Sequence, residues 1–337
     1  MNREIGGGRY RLTNLLGEGA FSRVYLAEDP QGRRYACKIS EKTEMLAREA
    51  GYQKELRHPL FPAFVEYGEA ADGGWLIMEY IRGETLESVL RREKSLPRKR
   101  AAEIGLALAG GLRKLQERAV PLLFRDLKPA NVLLEEGGRV RLLDLGCVCP
   151  AGYPQSAAGT PGFGAPEQFT AGSRQDITVD LYGLGRLLLA MTGGDGRRDR
   201  EAREARGARG ARGVQEGGKA QEPEEVQKPE EARKARGVRE TRGAKEAGET
   251  KEIKEIKVAK ETRGVKGIRE TLGFYSPLGK VIEKCTRELP EERLPDMRTV
   301  EGLLAVCSGT AGGGRFDEVQ RAYLEGKIQV RKNVVIR

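Results

Sequence analysis

The chain has 337 residues, of which 33% are charged and only 6% aromatic, and it carries a net charge of +10 with an isoelectric point near 9.3. That length is enough to bury a full enzyme core, while an odd count of five cysteines argues against a disulfide-built secreted domain. No run approaches the roughly 20 apolar residues of a membrane span and no signal peptide is visible, so a cytoplasmic protein is expected.

In chain order, Leu16-Gly17-Glu18-Gly19-Ala20-Phe21-Ser22-Arg23-Val24-Tyr25 reads as two strands joined by a glycine-rich turn. Missing side chains there let backbone N–H groups approach phosphate oxygens. Tyr35-Ala36-Cys37-Lys38-Ile39 follows as a short apolar strand carrying one lysine, and a buried lysine needs a counter-charge. Glu49 supplies it from a helical segment that ends at Arg57-His58-Pro59, where His58, the sole histidine, caps a turn. Next comes the apolar stretch Trp75-Leu76-Ile77-Met78-Glu79-Tyr80-Ile81-Arg82-Gly83. Phe124-Arg125-Asp126-Leu127-Lys128-Pro129-Ala130-Asn131 is then followed by Leu143-Asp144-Leu145-Gly146. Two acids and one asparagine at this spacing fit phosphoryl transfer from Mg·ATP, with Asp126 near the acceptor hydroxyl and Asn131 and Asp144 on the metal. Further on stand Gly159-Thr160-Pro161-Gly162-Phe163-Gly164-Ala165-Pro166-Glu167-Gln168, then Val179-Asp180-Leu181-Tyr182-Gly183-Leu184-Gly185, and late in the chain Leu289-Pro290-Glu291-Glu292-Arg293.

These motifs, in this order, resemble those of protein kinases, and the segment ending in Ala165-Pro166-Glu167 is similar to that of bacterial eukaryotic-type serine/threonine kinases. The resemblance implies an α+β, two-lobed fold: a small antiparallel β-sheet lobe with one helix over 9–80, and a larger, mainly helical lobe over 81–193 and 273–308, with a low-complexity charged insertion over 194–272 and a tail over 309–337. It implies that Lys38 and the backbone of Gly17 and Gly19 position the ATP phosphates and that Glu49 pairs with Lys38. Met78 becomes the gatekeeper, the backbone at Glu79 and Ile81 grips the purine, and Leu16, Val24, Ala36 and Leu133 sandwich it. Asp126 accepts the proton of the acceptor and Lys128 neutralises charge on the migrating phosphoryl group; Lys128 with Thr160 marks a serine or threonine acceptor on a protein substrate. Asn131 and Asp144 hold Mg2+, with Mn2+ as an alternative. Glu167 is expected to pair with Arg293, and Asp180 to hold the catalytic loop from below.

Several positions depart from the family pattern. Ser22 stands for the third glycine, Phe124 for His or Tyr, Leu145 for Phe, and Gln53 occupies a helix position where the family prefers Leu or Met, so that a polar group is expected to weaken the active alignment. Arg125 before the catalytic Asp calls for an anion in the activation segment, with Ser156 as the candidate autophosphorylation site. Cys147-Val148-Cys149 has the spacing of a metal or redox pair, but such a pair without nearby partner ligands is usually inert, and inert thiols are expected.

From Gly193 to Glu270 the sequence turns to Arg-Gly and Lys-Glu repeats, with no aromatic between Tyr182 and Phe274. Such a tract buries too little apolar area to offset its ordering entropy and reads as a disordered or transiently helical spacer. Its charge offers an alternative, a nucleic acid or acidic partner, but glutamates are interleaved throughout and aromatics for base stacking are missing. A helix is compatible with 249–261. Helices are also expected from Ser276, near Thr299 to Val306 and from Arg315 to Gly326, with a last strand over Ile328 to Ile336. Three function classes follow: an active serine/threonine kinase, a nucleotide-binding pseudokinase scaffold, and a polyanion-binding protein acting through the insertion.

Overall fold

The computed structural model describes residues 3–71, 73–153, 155, 157–194 and 276–310. The chain divides into two units, 1–195 with 272–337 and 196–271, and every described residue belongs to the first. The charged insertion with its 249–261 helix, Ser156, and the helix and strand expected beyond Gly314 lie outside the described residues.

The small lobe is a six-stranded antiparallel sheet. Its strands β1 (Arg3–Ile5), β2 (Tyr10–Glu18), β3 (Arg23–Glu28), β4 (Arg34–Ser40), β5 (Phe64–Ala70) and β6 (Gly73–Glu79) stand in the spatial order β1-β2-β3-β4-β6-β5. Alternation along β6 gives the sheet two faces. Trp75 and Ile77 join Ile5, Tyr10, Leu12, Ala27 and Cys37 in one cluster, whereas Leu76 packs with Leu46 and Ala50 of α1 (Thr43–Glu55), and Met78 lies against that second cluster. β1 precedes the first strand legible in the sequence. Gly6, Gly7 and Gly8 reverse the chain at φ of 63°, 69° and 84°, which only glycine adopts freely, and so deliver Ile5 to the Tyr10–Trp75 cluster.

The larger lobe begins with β7 (Gly83–Thr85) and α2 (Leu86–Glu93), whose first turn is capped by the Thr85 hydroxyl accepting from the Ser88 N–H at 3.2 Å. Its centre is α3 (Arg98–Gln116), which buries Ala101, Ile104, Leu108, Leu112 and Leu115 beside α4 (Thr178–Met191) and α6 (Met297–Ser308). Each such leucine contributes about 1.5–3 kcal/mol through burial. The expected helix at Ser276 is α5 (Pro277–Cys285): the Ser276 hydroxyl accepts from the Gly279 N–H, and Leu278, Val281, Ile282 and Cys285 are all buried. α6 starts under an Asp296 cap and stops at Gly309, whose φ of 78° ends the helix.

Two contacts hold the small lobe's α1–β5 loop on the large lobe behind the cleft. The Leu60 carbonyl accepts from the Leu142 N–H at 2.7 Å. Leu60 also leans on Gly111 of α3 so closely that a Cβ there would lie 2.1 Å from its Cδ2. His58 caps this loop as expected, its Nδ1 accepting from the Leu60 N–H at 3.2 Å.

Candidate active site

The glycine-rich turn lies between β2 and β3, where the Gly19 N–H donates to the Ser22 carbonyl at 2.8 Å. Its tip is tethered from below: the buried Ser40 hydroxyl donates to the Phe21 carbonyl at 2.7 Å. Strand register then sets Val24 opposite Lys38, and Ala36 opposite Met78, with Gly17 opposite Val24. Ala36 and Lys38, two apart on β4, share one face, as the period of a strand requires.

Lys38 is buried and its ammonium is fully engaged. It donates to both oxygens of Glu49, at 2.9 and 2.7 Å, and to Oδ1 of Asp144 at 2.8 Å. Burial alone would drive the lysine toward the neutral amine; the Asp144 and Glu49 charges outweigh it and hold its pKa above the usual lysine range. Lost hydration in the cleft works the opposite way on Asp144 and raises it, but Lys38 and the Gly146 N–H bring its carboxyl below the usual carboxylate range. Glu49→Gln leaves Lys38 without its buried counter-charge on α1 and, with Lys38 in the phosphate-positioning role that the resemblance implies, should lower kcat about 100-fold; steady-state kinetics check this.

The catalytic loop crosses between β8 (Leu122–Leu123) and β9 (Val132–Glu135), and Asp126 sits in it as a pure acceptor. Its Oδ2 takes the Lys128 ammonium at 2.6 Å and the Asn131 amide at 3.0 Å, and its Oδ1 takes the Thr160 hydroxyl at 2.7 Å. Lys128 also donates to Thr160 at 3.2 Å. The Leu143 N–H, just after β10 (Val140–Leu142), donates to the Asn131 carbonyl at 2.7 Å, so the Asn131 and Asp144 loops are joined by backbone. Arg125 and Asp144 stand at φ of 71° and 65°. Such non-glycine conformations cost on the order of 1–3 kcal/mol each and need a surrounding that enforces them.

For Arg125 that surrounding is Asp180 of α4, whose two oxygens accept from the Phe124 and Arg125 N–H groups, both at 2.8 Å. Burial pushes Asp180 up to about 6, against those N–H bonds and the Arg125 charge. The unfolded value is about 3.9. The native state therefore binds this proton more tightly, and the group's contribution to stability is full below about pH 4 and lost as pH rises through about 6. Asp180→Asn does not titrate, so it should cost about 1 kcal/mol more at pH 5 than at pH 8. Urea unfolding at the two pH values tests this, and an equal cost at both contradicts it.

The activation segment is anchored at its far end by the expected pair. Glu167 accepts from Arg293 through both oxygens, and Arg293 is wholly buried. Three contributors were missed by sequence reading. Gln168 donates to the Arg125 and Ala158 carbonyls at 2.8 and 3.1 Å and accepts from the Ala165 N–H, clamping the segment to the catalytic loop. Ser40 and the direct Thr160–Asp126 bond are the others, and no local pattern marks any of these contacts.

One expectation needs correction. Gln53 does not loosen the alignment: it is buried, its amide donates to the Pro62 carbonyl at 2.9 Å, and the Lys38–Glu49 pair one turn away is formed. Among the described residues no group of three or more His, Cys, Asp or Glu side chains converges as a metal site, so Cys147 and Cys149 have no metal partners there. Burial, with Asp126 and Asp144 adding, pushes the Cys147 thiol up to about 11, and burial also raises Cys149, whose sulfur takes the Arg125 guanidinium at 3.5 Å. Both thiols are protonated at neutral pH.

A two-lobed α+β fold with a lysine, two aspartates and an asparagine converging at the cleft defines the protein kinases. The family model described as protein kinase domain matches residues 10–301, and the chain belongs to that family. It is similar to the serine/threonine-protein kinase pkn2 of Myxococcus xanthus, 33% identical over 208 residues, which covers 56% of this chain and 24% of that protein. It is also similar to the serine/threonine-protein kinase PknA of Mycobacterium tuberculosis, 34% identical over 198 residues, covering 53% of this chain and 45% of the relative. A probable serine/threonine-protein kinase of Streptomyces coelicolor is 33% identical over 204 residues, 54% of this chain and 30% of that protein. The chain thus covers less than half the length of each of these relatives. The family implies ATP and a divalent metal as reaction partners. Among the described residues no helix is long and apolar enough to cross a membrane.

Proposed function

We propose that the chain is an ATP-dependent serine/threonine protein kinase that transfers the γ-phosphoryl group to Ser or Thr of a protein substrate and to itself. One observation carries this reading: Asp126 accepts a threonine hydroxyl on one oxygen and the Lys128 ammonium on the other, within a site whose Lys38 is paired at once to Glu49 and Asp144. Thr160 stands as a resident hydroxyl on Asp126, and a substrate hydroxyl that reaches Asp126 meets the same acceptor. As it attacks, its proton passes to Asp126 while Lys128 offsets the charge gathering on the transferred group. Lys38, pinned by Glu49, aligns the phosphates under the glycine-rich turn. The Glu79 N–H is engaged by the Ala63 carbonyl at 2.9 Å, so its grip on the purine falls to its carbonyl, with the Ile81 backbone as the second contact. Leu16, Val24, Ala36 and Leu133 line the base, and Met78 stands behind it.

The donor set suits a hard cation. The Asn131 amide nitrogen is spent on Asp126, leaving its oxygen for a metal, and Asp144 adds a carboxylate that is exposed to the cleft. One carboxylate and one amide oxygen fit Mg2+ best, with Mn2+ as a substitute. When bound, the ion would supply positive charge that offsets the negative charge of the phosphates. A cytoplasmic setting belongs to the same proposal, since ATP and reduced thiols such as Cys37 and Cys285 coexist there. The expected domain limits, 9–80 and 81–193 with 273–308, are part of it too, with β1 carrying the small lobe back to Arg3.

The test is transfer of labelled γ-phosphate from Mg·ATP to the protein and to a generic basic protein, with phosphoamino-acid analysis. Label on serine or threonine supports the reading; label confined to tyrosine, or none despite ATP binding, overturns it.

A further inference from the structure

Gln53 is one helical turn beyond Glu49 on α1 and only 4% exposed. A buried amide is costly unless its polar atoms are matched. Its Nε2 donates to the Pro62 carbonyl at 2.9 Å and lies 3.5 Å from Sδ of Met78, in donor geometry to both. Pro62 is itself buried in the α1–β5 loop. The three groups come from separate elements: α1 carries Glu49, the loop carries Pro62, and β6 carries Met78, with Leu76 of the same strand opposite Lys38. One side chain therefore ties the helix bearing the glutamate to the strand beside the lysine. A leucine or methionine of similar volume fills the space but offers no N–H. It leaves the Pro62 carbonyl unmatched and frees the Met78 thioether, which has three rotatable bonds to explore.

We propose that Gln53 is a positioning residue acting through Glu49 and Met78: its amide holds α1 where Glu49 meets Lys38 and holds Met78 across the back of the purine site. It thereby sets phosphate alignment and selectivity against purines enlarged at N6. Both halves of this inference, phosphate alignment and purine selectivity, rest on the kinase reading above, whereas the latch itself does not.

The test compares wild type, Gln53→Leu and Gln53→Met in steady-state transfer from ATP and from N6-benzyl-ATP. Both replacements keep a similar volume, and both remove the donors. In both variants kcat with ATP is expected to fall about tenfold while KM for ATP moves by less than about threefold, the signature of misaligned phosphates. The ratio of kcat/KM for N6-benzyl-ATP to that for ATP should rise about fivefold or more, as Met78 gains freedom. A purely structural residue would lower the thermal midpoint and the active fraction without moving that ratio. Wild-type kcat and an unchanged ratio in Gln53→Leu overturn the proposal, because an apolar side chain would then serve equally well. If neither variant folds, hydrogen exchange of the Gln53 side-chain amide in the wild-type protein decides: slow exchange supports the latch and fast exchange overturns it. A wild type that transfers no phosphate removes the kinase reading and leaves the latch to be judged by that exchange measurement.

Discussion

Asp126→Asn is expected to lower kcat for γ-phosphoryl transfer about 1,000-fold while leaving ATP binding within about threefold of wild type. Each oxygen of Asp126 receives a donor: Lys128 and Asn131 on one, Thr160 on the other. An asparagine keeps the size but turns one of these acceptors into a donor, so an NH2 group must face either the Lys128 ammonium with Asn131 or the hydroxyl. Nothing remains to take the proton of an acceptor alcohol, and the positive charge of Lys128 loses its partner. Lys38→Met is the companion. It removes the cation shared by Glu49 and Asp144, leaving the buried Glu49 carboxyl unpaired, and should reduce transfer at least as much while also disturbing nucleotide alignment. Radiolabel transfer and nucleotide titration on the same preparations separate the two. Asp126→Asn with undiminished transfer would remove Asp126 from the role of base, and wild-type binding of ATP without transfer would instead favour the pseudokinase scaffold.

The second large effect is structural. Glu167→Ala should destabilise the fold by about 3–5 kcal/mol, because it strands a buried guanidinium. The Arg293 side chain is wholly inaccessible, donates to the Arg287 and Glu288 carbonyls at 2.8 Å each, and lies 4.9 Å over the Tyr182 ring. It cannot swing out to water without dismantling the junction between the activation segment, α4 and the loop before α6. Those remaining bonds soften the loss but do not neutralise the charge. Replacing both partners, Glu167→Met with Arg293→Leu, removes the stranded ion and should recover part of the loss, which is the mark of a buried pair whose desolvation cost rivals its attraction. Chemical unfolding of the two single variants and the double variant measures this; a Glu167→Ala cost below about 1 kcal/mol, typical of exposed pairs, would show that the pair is effectively solvated. Because Gln168, next in the chain, clamps Arg125, activity should fall with stability in the single variant.

The family and its chemistry were legible in the sequence because the residues that carry them are close in the chain. Asp126, Lys128 and Asn131 share one loop, and the glycine-rich turn and the Lys38 strand are contiguous patterns. The periodic apolar positions of α5 are likewise local, and all four expected residues are buried. The charges on Lys38 and Glu49 predicted a pair since neither can be buried alone. Other features have no local signal. β1 depends on three successive glycines at positive φ and on a Trp75 cluster to which four other strands contribute. The amide of Gln53 looked disruptive because its acceptors, Pro62 and Met78, are contributed by other elements.

Local residue order thus carries which groups are present and what chemistry they suit: an acceptor carboxylate, a paired lysine, and two oxygen donors for a metal. Their meeting is the work of long-range packing. It brings Thr160 to Asp126 across 34 residues and Lys38 to Asp144 across 106, and it holds Arg125 and Asp144 in left-handed backbone conformations. The physical reason is that short-range patterns encode strands, turns and helices, whereas long-range partners are chosen by sheet register, by close approaches such as Leu60 on Gly111, and by buried polar groups that must find one another when water is excluded.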